Sequence, residues 1–494
     1  MRASAVLLPI FSINSKYGIG GFSKEAYEVV DFLERAGQKY WQILPLGPTS
    51  YGDSPYQSLS TYAGNPYFID LEQLIEEGLL SKEEVEEVDF GQGDSIDYGK
   101  LYEGRLPLLR KAYERSRCYE DPEFISFREK NGYWLRDYAL FMALKNFFKG
   151  ESWQNWPEDI RLRWGYAMDY YNRELYYDIE ALEYIQYKFL QQWKKLKSYA
   201  NEKGIKIIGD IPIYAAGDSA DIWANPHLFL LDGDSNPRAV SGYPPDGFSE
   251  EGQLWGNPLY DWQVNKNTGY RWWIERLSYC FELYDVVRID HFKGFDEYYS
   301  IPYGDKNAVR GHWEQGPGMD IFYAIKGALG DKPIIVEDLG QPSESCDRLL
   351  KDCGYPGMKV MQFAFDLNDS KKENPYLPHN HIQNSVVYTG THDHDTLWGW
   401  VQKLSNKEIS YIKDYLNIKR SSNRDMAKEL IRVVHSSVAN LAVVPIQDYL
   451  GLGNEAKING PGTLGGNWQW RLKEGMLTEA LAEEILTLTR RYGR

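Results

Sequence analysis

The sequence predicts an α/β protein built on a closed (β/α)8 barrel, and three observations carry that expectation. Eight short, apolar, β-branched runs recur along the chain. Helical patterns fill most intervals between them, and several runs end in an ionisable residue. The eight candidate strands are residues 5–9, 40–45, 205–211, 286–290, 333–337, 358–363, 386–389 and 441–446. Continuous apolar runs suit strands buried on both faces, and intervening helices impose parallel pairing with right-handed crossovers. An open doubly wound sheet is the alternative. No candidate strand, however, leads into the GxGxxG or GxxxxGK[ST] turn that marks a nucleotide site in such sheets.

Spacing between the candidates is uneven. The second and third strands are separated by residues 46–204, which begin with an acidic helical stretch and continue into repeated helical periodicity rich in Tyr, Trp, Arg and Lys. This interval reads as a mostly helical subdomain inserted in the barrel. Residues 213–285, between the third and fourth strands, are rich in Gly, Pro, Asp and Trp with little periodicity, and read as a long ordered loop region on the functional face. The expectation is a single catalytic barrel over residues 1–494, carrying these two insertions.

Composition narrows the function classes. A 43% hydrophobic content supports a large core, and the net charge of −16 with dispersed basic residues disfavours nucleic acid and anionic membrane as partners. No apolar stretch reaches the roughly 18–20 residues a membrane helix needs. The opening run resembles the start of a signal peptide but is broken at Pro9, so a cytoplasmic protein is expected. Cys118, Cys280, Cys346 and Cys353 form no CxxC pair, and the last two are spaced as positions of one helix, so neither a metal nor another cofactor is expected. The oligomeric state stays open. The 16 Trp, 38 Tyr and 19 Phe serve mainly as core, although some suit a groove in which flat rings cover apolar faces of a ligand.

In a (β/α)8 barrel the reactive groups stand at the C-terminal ends of strands. Here strand three ends in Asp210, strand four in Arg288-Ile289-Asp290, strand five in Glu337-Asp338, and strand seven in Thr391-His392-Asp393. Any one acid after a strand is readily a helix N-cap. Four on one rim, with an Arg and a His, point to chemistry by paired carboxylates. Glycosidic cleavage requires such a pair: one group protonates the leaving oxygen and one meets the cationic sugar. Residues two apart on a strand share a face, so Arg288 should hold Asp290 ionised. Glu337 should instead be kept protonated, by burial or by a neighbouring carboxylate such as Asp393.

At these residues the chain resembles the 4-α-glucanotransferases, or amylomaltases, of the wider α-amylase group. The motifs are Ser54-Pro55-Tyr56-Gln57-Ser58, Ala63-Gly64-Asn65-Pro66-Tyr67, Gly209-Asp210-Ile211-Pro212, Trp255-Gly256-Asn257-Pro258, Arg288-Ile289-Asp290-His291-Phe292, Glu337-Asp338-Leu339-Gly340 and Gly390-Thr391-His392-Asp393. The resemblance implies transfer of α-1,4-glucan segments with retention. It makes Asp290 the nucleophile, Glu337 the acid and then base, and Asp393 a binder of sugar hydroxyls. It gives Ser54, Tyr56, Asp210, Phe248, Trp255, Arg288 and His392 as substrate-binding residues, and α-glucans and maltooligosaccharides as partners. A retaining α-glucan hydrolase and a noncatalytic glucan-binding protein are the alternatives. The chain departs from the family pattern at His394, where Asn is usual, and at Gly247, where a bulky aromatic is common. Residues 246–262, with Gly247, Gly252 and Gly256, are the candidate loop to close over an acceptor sugar.

Overall fold

The computed structural model describes the chain except for residues 1, 51, 92, 247, 248, 342, 368–373 and 464. Its strands are β1 (Ala3–Leu7), β2 (Tyr40–Gln42), β3 (Lys206–Pro212), β4 (Ala239–Tyr243), β5 (Gln253–Pro258), β6 (Val286–Asp290), β7 (Glu297–Pro302), β8 (His312–Gln315), β9 (Ile334–Val336), β10 (Gly357–Val360), β11 (Ser385–Tyr388) and β12 (Leu441–Pro445). Eight of them form one sheet in the order β10-β11-β12-β1-β2-β3-β6-β9, and every neighbouring pair is parallel. These eight coincide with the eight runs that the sequence marks out.

The sheet curls until its edges nearly meet. Between β9 and β10 the Val336 N–H donates to Pro356 O at 3.1 Å, and the Met358 N–H donates to the Asp338 side chain at 2.6 Å. Strand side chains alternate in the manner a barrel demands. Ala5, Leu7, Ile208, Val286, Met358, Tyr388 and Val443 fill the interior as one buried cluster. Val6, Trp41, Ile207, Val287 and Ile289 pack outward against the helices. Helix Lys24–Arg35 shows the pattern plainly, burying Ala26, Val29, Val30, Phe32 and Leu33 on one stripe.

Between β2 and β3 the chain forms a set of helices, the longest being Tyr98–Ser116, Pro122–Phe147 and Tyr176–Glu202. Asp97 and Asp121 cap the first two through their side chains, and Pro122 occupies the first turn, where its missing N–H is harmless. Helix Tyr176–Glu202 returns to the barrel, where the Trp193 indole donates to Leu283 O at 3.0 Å.

The region between β3 and β6 differs from the expected loop. It contains helices Ala220–Ala224, Trp262–Asn267 and Arg271–Leu283 as well as β4 and β5, which join β7 and β8 in an antiparallel sheet of order β5-β4-β7-β8. The stretch expected as the loop closing over an acceptor sugar is therefore partly strand β5. Periodicity hid these strands for two physical reasons. The ladder shifts register between Val240 and Gly242, which breaks the alternation, and β4 pairs with β7 across the whole of β6. Cys346 and Cys353 do share one helix, Glu344–Cys353. No helix among the described residues is long and apolar enough to cross a membrane.

Candidate active site

Asp210 and Arg288 sit opposite each other in the β3–β6 register, deep in the C-terminal mouth of the barrel. Asp210 is 0% exposed and Arg288 2%. The guanidinium reaches two carboxylates at once: Nη1 donates to Asp210 Oδ2 at 2.6 Å and Nη2 meets Asp290 Oδ1 at 2.9 Å. Its Nε is turned toward Met358 Sδ at 3.5 Å, so the fork is held from the β10 side as well. The planar fork is what allows one cation to orient two acids from neighbouring strands. Burial raises the Asp210 carboxyl to about 6, with Arg288 opposing the rise and Asp290 adding to it. The Tyr56 hydroxyl also donates to Asp210 Oδ2, at 2.9 Å.

Glu337 follows β9 directly. Its Oε2 accepts the His291 N–H at 2.9 Å and its Oε1 accepts the Leu339 N–H at 2.8 Å. His291 donates from a left-handed backbone, φ 55°, which turns its amide back toward β9. Two amide donors favour the carboxylate form, yet burial, reinforced by the charge of Asp290, pushes Glu337 up to about 8. Burial, one of the two expected causes, leads; the carboxylate that adds to it is Asp290, where Asp393 was the example expected. Asp393 is otherwise engaged: its Oδ2 meets His392 Nε2 at 3.2 Å and its Oδ1 accepts from Asn459 Nδ2 at 2.6 Å. Burial works against its charge, but the paired His392 and the Asn459 donor hold it well below the usual carboxylate range.

The Tyr56 ring stacks on His392 at 5.0 Å and 13°, with Trp468 beside both. Trp255, on β5, stands edge-on to His291 with centroids 4.7 Å apart. The antiparallel sheet thereby lends an aromatic wall to the acids. Ser54 is not drawn into the acidic cluster; its hydroxyl accepts the Tyr56 N–H at 3.3 Å and shapes the turn that presents that ring. Phe248, like Gly247, lies outside the described residues. Asp210 Oδ1 and His392 Nδ1 are buried with no hydrogen-bond partner among the described residues. Sequence reasoning missed Asn459, Trp468 and the amides of His291 and Leu339. Asn459 opens an Asn-Gly-Pro-Gly run that announces a turn but gives no sign of where the turn lands. Among the described residues, no three His, Cys, Asp or Glu side chains are grouped to hold a metal ion.

A parallel barrel whose rim bears one ion-paired carboxylate beside a carboxyl kept protonated near neutrality has the equipment of the glycosidic-bond enzymes. The sequence pattern of glycoside hydrolase family 77, described as 4-alpha-glucanotransferase, matches residues 8–478. The chain belongs to that family. It is 51% identical over 488 residues to the 4-alpha-glucanotransferase of Clostridium butyricum, covering 98% of this chain and 99% of that one. It is 45% identical over 486 residues to the 4-alpha-glucanotransferase of Thermus thermophilus, covering 97% and 96%. Among solved structures, the amylomaltase from Streptococcus agalactiae in complex with acarbose matches with a TM-score of 0.96 at 41% identity, and 100% of each chain is covered.

Proposed function

We propose that this protein transfers segments of α-1,4-glucans to the 4-hydroxyl of an acceptor glucose or glucan by retaining double displacement. The observation that carries the reading is the contrast at one rim between Asp290, ion-paired to Arg288, and Glu337, raised to about 8. In the first step an Asp290 oxygen bonds to the anomeric carbon while Glu337 gives its proton to the departing glycosidic oxygen. In the second step the acceptor hydroxyl attacks the same carbon, Glu337 takes its proton, and Asp290 leaves as carboxylate. Asp393, His392, Arg288 and Asp210 hold the hydroxyls and ring of the sugar at the cleavage point. Tyr56 and Trp255 offer faces to it, and Ser54 supports Tyr56. Every proton has a side-chain carrier, so the reading invokes no cofactor.

Acids alone serve hydrolysis as well as transfer; the family and the relatives favour transfer. The catalytic unit spans residues 1–494, with 46–204 and 213–285 as its insertions. Four free cysteines favour a reducing cytoplasmic setting.

Maltotriose tests the reading. A ladder of longer and shorter oligosaccharides should form while total reducing ends stay constant. Reducing ends that rise in step with consumption identify a hydrolase, and no change identifies a binding protein. The ionisation of Glu337 sets a second expectation. A general acid works only while protonated, so kcat/KM should fall as pH rises through about 8. Glu337→Gln should lower turnover by about 10³-fold or more and erase that alkaline limb. A limb that survives in the variant belongs to another group.

A further inference from the structure

The residue after Asp393 does work that the carboxyl chemistry leaves out. His394 Nδ1 lies 3.2 Å from the Thr391 backbone N and 2.7 Å from Thr391 Oγ1. A backbone amide can only donate, so Nδ1 is the acceptor and the neutral ring carries its proton on Nε2. The Thr391 hydroxyl can then donate to the same nitrogen while its oxygen accepts the Asp393 N–H at 3.3 Å. The His394 N–H closes the turn on Thr391 O at 3.2 Å. Thr391, His392, Asp393 and His394 thus form one small knot, tied at the centre by the imidazole. The ring is held from outside by Phe363, whose centroid lies 5.0 Å away at 64°. The two residues between the ends of the knot are the ones whose side chains meet each other at the acidic rim.

We propose that His394 is a positioning residue for Asp393: its unprotonated Nδ1 closes the turn that aims His392 and Asp393, and protonation of that nitrogen releases the turn. The proposal rests on the reading that Asp393 acts on the sugar. The charged and titratable groups facing His394 are Asp393, His392 and Asp395 on its own loop and Lys457 on the segment after Asn454–Ala456. The Phe363 side contributes an apolar ring. Lys457 pairs with Asp395 at 3.0 Å, and Lys403 pairs with Asp395 as well, at 2.6 Å, so the nearest carboxylate beyond Asp393 is already neutralised. Burial leads in lowering His394, to about 4. A protonated Nδ1 accepts nothing and would face the Thr391 N–H hydrogen to hydrogen. The turn is therefore intact at neutral pH and opens as pH falls toward that value.

The experiment compares wild type, His394→Ala, His394→Asn and Asp393→Ala, measuring kcat and KM for transfer from maltotriose between about pH 4 and pH 8, with melting temperatures to report folding. Removing the anchor in His394→Ala should lower kcat about tenfold or more at neutral pH, because small misplacements of a working group are costly. An Asn Oδ1 accepts the same two donors without titrating in this range. His394→Asn should therefore recover most of the lost kcat and retain it below about pH 5, where wild type loses activity. A passive packing role would not shift the acid limb. Wild-type kcat in His394→Ala overturns the proposal, as does an unchanged acid limb in His394→Asn. If the Ala variant fails to fold, the Asn profile alone decides. Retained turnover in Asp393→Ala refutes the underlying reading of Asp393 instead.

Discussion

Asp290→Asn is expected to lower kcat for glucan transfer by about 10⁴-fold or more while leaving glucan binding within a few-fold of wild type. The amide matches the carboxylate in size, and its oxygen can still accept from Arg288 Nη2, which lies 2.9 Å from Asp290 Oδ1. What disappears is the proposed nucleophile, a loss that no neighbour repairs: Asp210 is tied to Arg288 and Tyr56, and Asp393 to His392 and Asn459. Binding survives because the aromatic and hydroxyl contacts of a ground-state sugar do not require a covalent bond. Single-turnover kinetics with maltotriose and calorimetric titration with a longer maltooligosaccharide check both halves. Turnover within tenfold of wild type would remove Asp290 from the reaction.

Arg288→Met is the second large effect, and it falls on stability as well as rate. The methionine keeps the apolar stem but strands the wholly buried Asp210 with Tyr56 as its remaining hydrogen-bond partner. Breaking a buried ion pair from one side costs about 3–5 kcal/mol. The sign of the pH dependence follows from Asp210. Its folded value, about 6, is already above the roughly 3.9 of an unfolded chain, so the folded state binds more protons in that window and stability declines as pH rises through it. Without the guanidinium the carboxyl moves higher still, and the decline extends to higher pH. The melting temperature should therefore drop more at pH 8 than at pH 5. An equal drop at both would show that packing around residue 288, not the charge of Asp210, carries the cost. Activity should fall in parallel, since Asp290 loses its orienting partner.

Much of this arrangement is legible in the amino acids themselves. The eight barrel strands show because most of their positions are buried on both faces, so each reads as a short, mainly apolar run. Arg288 and Asp290 show because a strand's period of two puts them on one face. The antiparallel sheet does not show. Its strands are interrupted by glycine and a register shift, and the partner of β4 arrives only after β6 has been laid down. The environment of Glu337 is hidden for another reason. Its two hydrogen bonds come from main-chain amides, which every sequence contains, and the geometry depends on the left-handed turn at His291. Of the two causes the sequence suggested for a protonated Glu337, burial leads, while the carboxylate that adds to it is Asp290 and not Asp393, because distance along the chain does not say which loop turns Asp393 toward Asn459.

Glu337 and Asp338 are neighbours in sequence that serve opposite sides of the barrel wall. Glu337 faces the mouth, whereas Asp338 accepts the Met358 N–H across the seam between β9 and β10, with Lys359 3.7 Å away. Gly357 sits close against this carboxylate; a methyl group there would come within 2.4 Å of its Oδ2. In a saturation screen scored by enzyme output, positions 338 and 357 should thus prove as intolerant of replacement as the acids in the mouth, although their contacts lie at the seam between β9 and β10. Such a screen would draw the active site one layer too thick on this side, and the excess would mark the place where the barrel is sewn shut by a side chain.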